Sequence, residues 1–294
     1  MVGGSRIGYW YRKRNPESMS LACQTSRTDN GLMPSSPWQK RIDRAEKLAE
    51  KNRFAGEILG FYVAISRFQE DLWLRLQDAS ISREGLGFQV SPWPGLVHHF
   101  PAFLSVAEGY GPSATMSAAR ELQSKSEDEV SARLKDFWSN RDGHAVAEDF
   151  FWRAFLQPYA EFVRSRTRLE RPPHTPCTCP YCQRAPGAGV LRPLGDGGQR
   201  YLLCSFCLAE WEFRRIVCPS CGEEDHAKLP VYRAEAFAHV RVECCDKCKT
   251  YLKTVDLTKD GLAEPIVDEI ASVPLDLWAQ ERGYSKLQTN VMQL

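Results

Sequence analysis

Cys179-Pro-Tyr-Cys182, Cys204-Ser-Phe-Cys207, Cys218-Pro-Ser-Cys221 and Cys245-Asp-Lys-Cys248 repeat one spacing four times within residues 179–248. A tight turn over Cys-x-x-Cys brings two sulfurs onto one ion. Backbone N–H groups inside the turn stabilise thiolate charge, and two such turns complete a tetrahedron. A gap of 21 residues separates Cys182 from Cys204 and one of 23 separates Cys221 from Cys245. Either length suits a hairpin that returns to the ion, which pairs 179/182 with 204/207 and 218/221 with 245/248. Spacing alone leaves open an interleaved pairing of first with third and second with fourth. A redox dithiol or a disulfide scaffold also uses Cys-x-x-Cys, but neither needs four copies in pairs. The eight cysteines therefore read as ligands of two metal ions per chain. Four thiolates leave no coordination position for water, so metallohydrolase chemistry is not expected. The sulfur cage accepts rubredoxin-type iron or zinc equally. Each ion contributes ~10 kcal/mol or more to folding modules whose apolar content is small.

Eleven cysteines occur in 294 residues, and only Cys23 lies outside 177–248. Cys177 and Cys244 each sit beside a proposed ligand. They are either small residues that happen to be thiols or groups for ligand exchange and oxidation-linked metal release. The N-terminus has no apolar stretch of export-signal length, and the polar residues before Leu21-Ala22-Cys23 cannot supply the segment that lipidation needs. No run approaches the ~20 apolar residues of a membrane span. With 43% hydrophobic and 26% charged residues, the chain reads as globular, and the cysteines fit a reducing, cytoplasmic setting. A formal net charge of +1 gives no long-range field for nucleic acid or anionic lipid.

Upstream of the cysteines the pattern is helical. Residues 1–37 lack periodicity and read as a mobile leader, inside which Met19 or Met33 is an alternative start. Ser36 is a cap for a helix with Ile42, Ala45, Leu48 and Ala49 on one face. Ile58, Leu59, Tyr62, Ile65, Phe68, Leu72 and Leu76 continue the pattern, as one helix or two joined near Gly56. Residues from Leu96 to Val106, Ala114 to Leu122, Glu129 to Trp138 and Ala145 to Leu169 also read as helices. Phe137, Trp138, Phe150, Phe151, Trp152, Phe155, Tyr159 and Phe162 recur at helical spacing and belong to a core. His98, His99 and His144 have no cysteine or carboxylate at useful spacing and are not ligands. Arg171-Pro-Pro-His174-Thr-Pro176 breaks the helical pattern and marks a boundary. Beyond it, Arg200-Tyr-Leu-Leu203, Trp211 to Val217, Val231-Tyr232 and Val240-Arg-Val242 read as short antiparallel strands. Gly195-Asp-Gly-Gly198 reads as a polar hairpin turn, and a helix from Pro265 to Arg282 closes the fold. The expected class is α+β: an N-terminal all-α bundle, two tandem rubredoxin-like or zinc-ribbon modules, and a closing C-terminal helix. The expected organisation is 1–37 leader, 38–170 helical domain, 171–213 first metal module, and 214–294 second metal module with the final helix.

Arg200-Tyr-Leu-Leu-Cys204-Ser-Phe-Cys207-Leu-Ala-Glu210-Trp211, then Arg215-Ile-Val-Cys218-Pro-Ser-Cys221-Gly222, resembles the central motif of the formate dehydrogenase accessory protein family, FdhE. Cys245-Asp-Lys-Cys248-Lys-Thr-Tyr-Leu-Lys253 is similar to that family's last knuckle, and Val267-Asp-Glu-Ile-Ala to Glu281-Arg-Gly-Tyr284 to its closing segment. The resemblance covers about residues 178–290; the helical half matches in character and order. It implies a protein that is not itself an enzyme and that binds the catalytic subunit of a respiratory formate dehydrogenase in the cytoplasm, assisting maturation before export. The family often has glycine after the second cysteine of its first and last knuckles. Gln183 and Lys249 stand there in this chain, so those turns are expected to be accommodated differently. Two other classes use the same sulfur sites. Rubredoxin-like electron transfer or redox sensing requires iron near solvent. Zinc-ribbon nucleic-acid binding is disfavoured, because residues 171–294 hold 15 Lys plus Arg against 16 Asp plus Glu, a balance of 15 − 16 = −1. Oligomeric state is open, a homodimer included. No Ser-His-Asp set, P-loop or dinucleotide loop gives a catalytic activity residues to rest on.

Overall fold

In the computed structural model, residues 36–78, 87–140, 149–167 and 177–294 are described. Ser36 does cap the first helix: its Oγ accepts from the Gln39 N–H at 3.2 Å, and Pro37 takes the first helical position, where no N–H is needed. Helix α1 (Pro37–Lys51) and helix α2 (Gly56–Asp78) are two elements, separated by a single 3₁₀ turn at Arg53–Ala55. Helices α3 (Phe100–Tyr110), α4 (Ser113–Gln123), α5 (Glu127–Ser139) and α6 (Asp149–Arg166) complete the bundle. The run from Leu96 begins as a 3₁₀ turn over Pro94–His99 and becomes α-helical only at Phe100. Helix α5 starts with a reciprocal cap, Ser126 and Glu129 each bonding the other's backbone N–H.

Helix α6 is the axis of the bundle. Every residue from Asp149 to Val163 is buried, and its rings pack on Phe61, Phe68, Phe100 and Phe103 at centroid distances of 5.0–6.4 Å. The aromatic residues of this half are core, as their spacing implied. One charged pair crosses that core: Arg41 of α1 bonds both carboxylate oxygens of Glu161 at 2.9 and 2.8 Å. Burial works against the Arg41 guanidinium, but Glu161 raises it above the ordinary arginine value.

Seven strands form one sheet: β1 (Pro186–Leu194), β2 (Gly197–Cys204), β3 (Glu210–Glu212), β4 (Val231–Arg233), β5 (Val240–Cys244), β6 (Thr250–Asp256) and β7 (Ser285–Lys286). The order β3-β2-β1-β6-β5-β4, with β7 beside β6, contains the same unit twice. In each unit an antiparallel hairpin (β1–β2 or β4–β5) is followed by a third strand that pairs back onto the hairpin's second strand. A short parallel pairing of β1 with β6 (Gly189↔Thr254, Val190↔Val255, Leu191↔Asp256) joins the two units. A Cβ at Gly189 would collide with the Thr254 side chain, so this seam needs glycine for close backbone approach.

Three expectations change. The strand expected over Trp211 to Val217 shrinks to Glu210–Glu212. The two strands at the seam, β1 and β6, were not among the expected runs. The closing helix is two helices, α7 (Pro265–Ala271) and α8 (Val273–Glu281). Pro274 has no N–H to give the Ile270 carbonyl, so the helix stops at Ser272 and restarts. The hairpin turn is as read: Leu194 pairs with Gly197, leaving a two-residue loop in which Gly195 takes φ +54°. The leader with its two candidate starts, Cys23, residues 145–148 and 168–169, His144 and the 171–176 boundary lie outside the described residues.

Helices α7 and α8 are fixed to the sheet by a fully buried charge network. Lys253 of β6 meets Glu269 at 3.1 Å and Asp276 at 2.6 Å, and Lys286 meets the same two carboxylates. Two cations thus face two anions out of water, and Tyr251 and Asn290 occupy further carboxylate lone pairs. Burial alone would raise the Glu269 carboxyl, but Lys253 and Lys286 hold it down at about 2.

Candidate metal centres

Each hairpin begins after one Cys-x-x-Cys knuckle and ends at another. Cys179 and Cys182 precede β1, and Cys204 and Cys207 close β2; Cys218 and Cys221 precede β4, and Cys245 and Cys248 follow β5. The open end of each hairpin therefore brings two knuckles together. Across the first site the sulfurs stand 3.5 Å (Cys179–Cys207) and 3.3 Å (Cys182–Cys204) apart. In the second, Cys218–Cys248 and Cys221–Cys245 are both at 3.7 Å. A tetrahedron with ~2.3 Å metal–sulfur bonds has edges of about 3.8 Å. All four sulfurs of each group lie within 4.8 Å of one another, so each tetrad can hold one ion. The pairing is sequential, and the interleaved arrangement is excluded.

The four knuckles share one backbone path. The N–H of each first cysteine donates to the carbonyl five residues on, in Arg184, Ala209, Glu223 and Thr250, at 2.9 Å in every case. The residue after each second cysteine lies in the left-handed region: Gln183 (φ 63°), Leu208 (50°), Gly222 (73°) and Lys249 (57°). The turns with Gln183 and Lys249 are thus not accommodated differently, as expected from the missing glycines. Three non-glycine residues carry the left-handed geometry themselves at a cost of ~1–2 kcal/mol each. Lys249 is held there by an ion pair to Asp246 at 2.7 Å and by the Tyr284 ring.

Electrostatics favour a cation in both groups. In the first, the Cys179, Cys204 and Cys207 thiols hydrogen-bond to Cys182 and hold it far below the ordinary thiol range. Burial pushes Cys204 and Cys207 well above that range. In the second, burial pushes Cys218 to about 12; at Cys248 burial is outweighed by Thr250 and the neighbouring thiols, which hold it at about 6. A divalent or trivalent ion supplies the charge that lets buried thiols such as Cys204, Cys207 and Cys218 ionise. Knuckle N–H groups already point at sulfur, Phe206 N to Cys204 Sγ at 3.3 Å and Ser220 N to Cys218 Sγ at 3.4 Å.

The two centres differ in their surroundings. All four cysteines of the first are 0–4% exposed. Its Phe206 packs edge-on against Phe137 and Trp138 of α5. The adjacent Arg184 lies between the Phe137 and Phe206 rings and donates to the α5 terminal carbonyls of Phe137 and Asn140. The first centre is thereby built into the junction with the helical bundle. In the second, Cys218 and Cys245 are buried, Cys248 is half-buried and Cys221 is exposed. Neither extra cysteine joins a tetrad: Cys177 is exposed, and Cys244 is buried in β5, where burial pushes its thiol to about 12. One group escaped the sequence reading. His239, Asp260 and Asp268 converge within ligating distance of one another, but the Arg44 guanidinium already bonds Asp260 at 2.7 Å and Asp268 at 2.5 Å. Only the fold brings these four residues together.

Comparison with known proteins follows the same geometry. Residues 178–215 match the model described as FdhE, central domain, and residues 216–293 match FdhE, C-terminal domain. A protein of Aquifex aeolicus called Protein FdhE homolog is 31% identical over 261 residues, which span 84% of this chain and 90% of that protein. The chain belongs to the FdhE family. Protein FdhE of Escherichia coli (strain K12) is 28% identical over 275 residues, 86% of each chain. The crystal structure of the FdhE protein from Pseudomonas aeruginosa superimposes with a TM-score of 0.64 at 27% identity, covering 87% of this chain and 95% of that one. FdhE similarity thus extends through the helical half, where sequence motifs alone carried only character and order. No helix among the described residues is long and apolar enough to cross a membrane.

Proposed function

We propose that this chain is a non-catalytic accessory protein that binds the catalytic subunit of a respiratory formate dehydrogenase in the cytoplasm and assists its maturation, with one metal ion on each cysteine tetrad. The supporting observation is family membership along nearly the whole length, 84% of this chain and 90% of the Aquifex relative. The eight ligands are Cys179, Cys182, Cys204 and Cys207 in the first centre and Cys218, Cys221, Cys245 and Cys248 in the second, holding rubredoxin-type iron or zinc. Four thiolates fill the tetrahedron of each ion and leave no open position for a hydrolytic water, so the reading gives the ions a structural rather than a hydrolytic role. The test is capture of the purified catalytic subunit by the tagged full chain, with elemental analysis of the same preparation. Expected are a stable complex and about two ions per chain, falling to one in Cys204→Ser/Cys207→Ser. Failure to capture the subunit refutes the role, and absence of metal refutes the ligand assignment.

The exposed Cys221 favours a second reading, electron transfer or redox sensing through iron in the second centre. Voltammetry of the iron-loaded protein decides it, since the reading requires a reversible one-electron wave.

A further inference from the structure

Four arginines are buried among the described residues: Arg41, Arg153, Arg184 and Arg200. Two of them meet a carboxylate at close range, Arg41 with Glu161 at 2.8 Å and Arg200 with Glu243 at 2.6 Å. The other two gather at the first cysteine centre. Arg184 follows Cys182 by two residues, and its guanidinium carbon lies 4.5 Å from the ring centroid of Phe206, inside the knuckle of Cys204 and Cys207. Arg153 comes from α6 and is 3% exposed. Its Nη1 donates to the Thr289 carbonyl at 2.7 Å, while its Nε, also buried, finds no acceptor among the described residues. A single bond to a carbonyl does not offset the desolvation of a guanidinium. Burial works against both cations. What works for them is Asp149 and Cys204 at Arg153, and Cys182, Cys204, Asp149 and Cys207 at Arg184.

The charge of a loaded tetrad explains their place. A divalent ion in four thiolates leaves two negative charges, and the cysteines of this centre are 0–4% exposed, so water does not solvate them. Two guanidiniums less the Asp149 carboxylate leave one positive charge, which halves that excess inside a junction where low polarity strengthens the attraction. The second centre lies under other conditions: Cys221 is exposed, and Lys247, the lysine that acts on it, has a side chain 57% exposed. Water and a solvated lysine serve that tetrad, and fixed internal cations serve the first.

We infer that Arg153 and Arg184 are the built-in counter-ions of the first metal centre, residues that do not ligate the ion but set its affinity and, with iron, its reduction potential. The inference rests on the ligand assignment proposed above. Arg153 is the residue to change, because Arg184 also holds the end of α5 through the Phe137 and Asn140 carbonyls. Zinc affinity is measured by competition with a chromophoric chelator in full-length chains that keep one tetrad each, Cys218→Ser/Cys221→Ser for the first and Cys204→Ser/Cys207→Ser for the second. Adding Arg153→Met should weaken the first tetrad about ten- to a hundred-fold and leave the second unchanged, and Arg153→Lys, which keeps the charge, should restore most of the loss. The potential is read in the iron-loaded chain with all its cysteines, by reductive titration of the ferric–thiolate absorption. In Arg153→Met half of the absorbance change should move to lower potential, because the ferrous tetrad carries one negative charge more than the ferric and has lost a counter-ion. Mere loosening of the junction does the opposite: it admits water, which favours the more charged ferrous form. A potential that rises or stays, equal loss of affinity at both tetrads, or no recovery with lysine overturns the counter-ion role. Absence of an ion from the first tetrad of the unsubstituted chain refutes the ligand assignment on which the inference stands.

Discussion

Removing metal should not act equally on the two cysteine centres, and the structure sets the size of the difference. When a chelator strips the ions, Cys221 is already exposed and Cys248 half-buried, so these thiols meet iodoacetamide without any opening of the fold. The first centre offers no such route. Its cysteines are 0–4% exposed and lie beneath Phe206, Arg184 and the end of α5, so modification requires separation of the sheet from the bundle. If that opening costs about 5 kcal/mol, the lower end of ordinary domain stability, the buried thiols react roughly 10³–10⁴-fold more slowly. The assay is timed alkylation of the full chain in excess chelator under native conditions, followed by peptide mass spectrometry. The expected order is Cys177 and Cys221 first, Cys248 next, and Cys179, Cys182, Cys204 and Cys207 together and last. Simultaneous labelling of all eight ligands, or labelling of the first centre ahead of the second, would show that the junction with the bundle does not protect it.

The Arg41–Glu161 pair should behave as a buried ion pair: Arg41→Met or Glu161→Gln alone costs about 3–5 kcal/mol, and Arg41→Met/Glu161→Leu recovers most of it, read from urea midpoints. Lys249 tests the left-handed knuckle. Lys249→Gly gives up an exposed ion pair and the contact with the Tyr284 ring but relieves the backbone, so it should be close to neutral, whereas Lys249→Val should cost about 2 kcal/mol in thermal unfolding. Glu269 is held down at about 2 from an ordinary 4.5, so its contribution to stability is present above pH 4.5 and is lost as pH falls through 2. That drop is worth about 3 kcal/mol. In Glu269→Gln the protein should be less stable at pH 7, and the acid limb of its stability profile should be shallower; an unchanged limb would place the acid sensitivity elsewhere.

What could be read from the sequence is what short-range physics determines. Ser36 and Pro37 suit a helix start, the aromatic residues of α6 recur at a helical period, and each Cys-x-x-Cys closes its own turn through bonds that span five residues. Hairpin-length gaps between knuckles then made sequential pairing the economical arrangement, and the family motifs lie in the same local segments. Even the break between α7 and α8 was written locally, in Pro274, which the reading of one closing helix passed over. The seam strands were hidden for a physical reason: β1 carries Gly187, Gly189 and Pro193, which weaken a strand pattern, and the glycine at 189 is there because Thr254 of another unit lies against it. Positive φ at Gln183 and Lys249 was equally hidden, since the knuckle's hydrogen bonds override the residue's own preference. Tertiary structure alone decided that the two metal units fuse into one sheet, that one centre is sealed against the bundle while the other meets solvent, and that Arg44 fills the space between His239, Asp260 and Asp268. These outcomes depend on contacts between residues far apart in the chain, whose energies appear only once the backbone has brought them together.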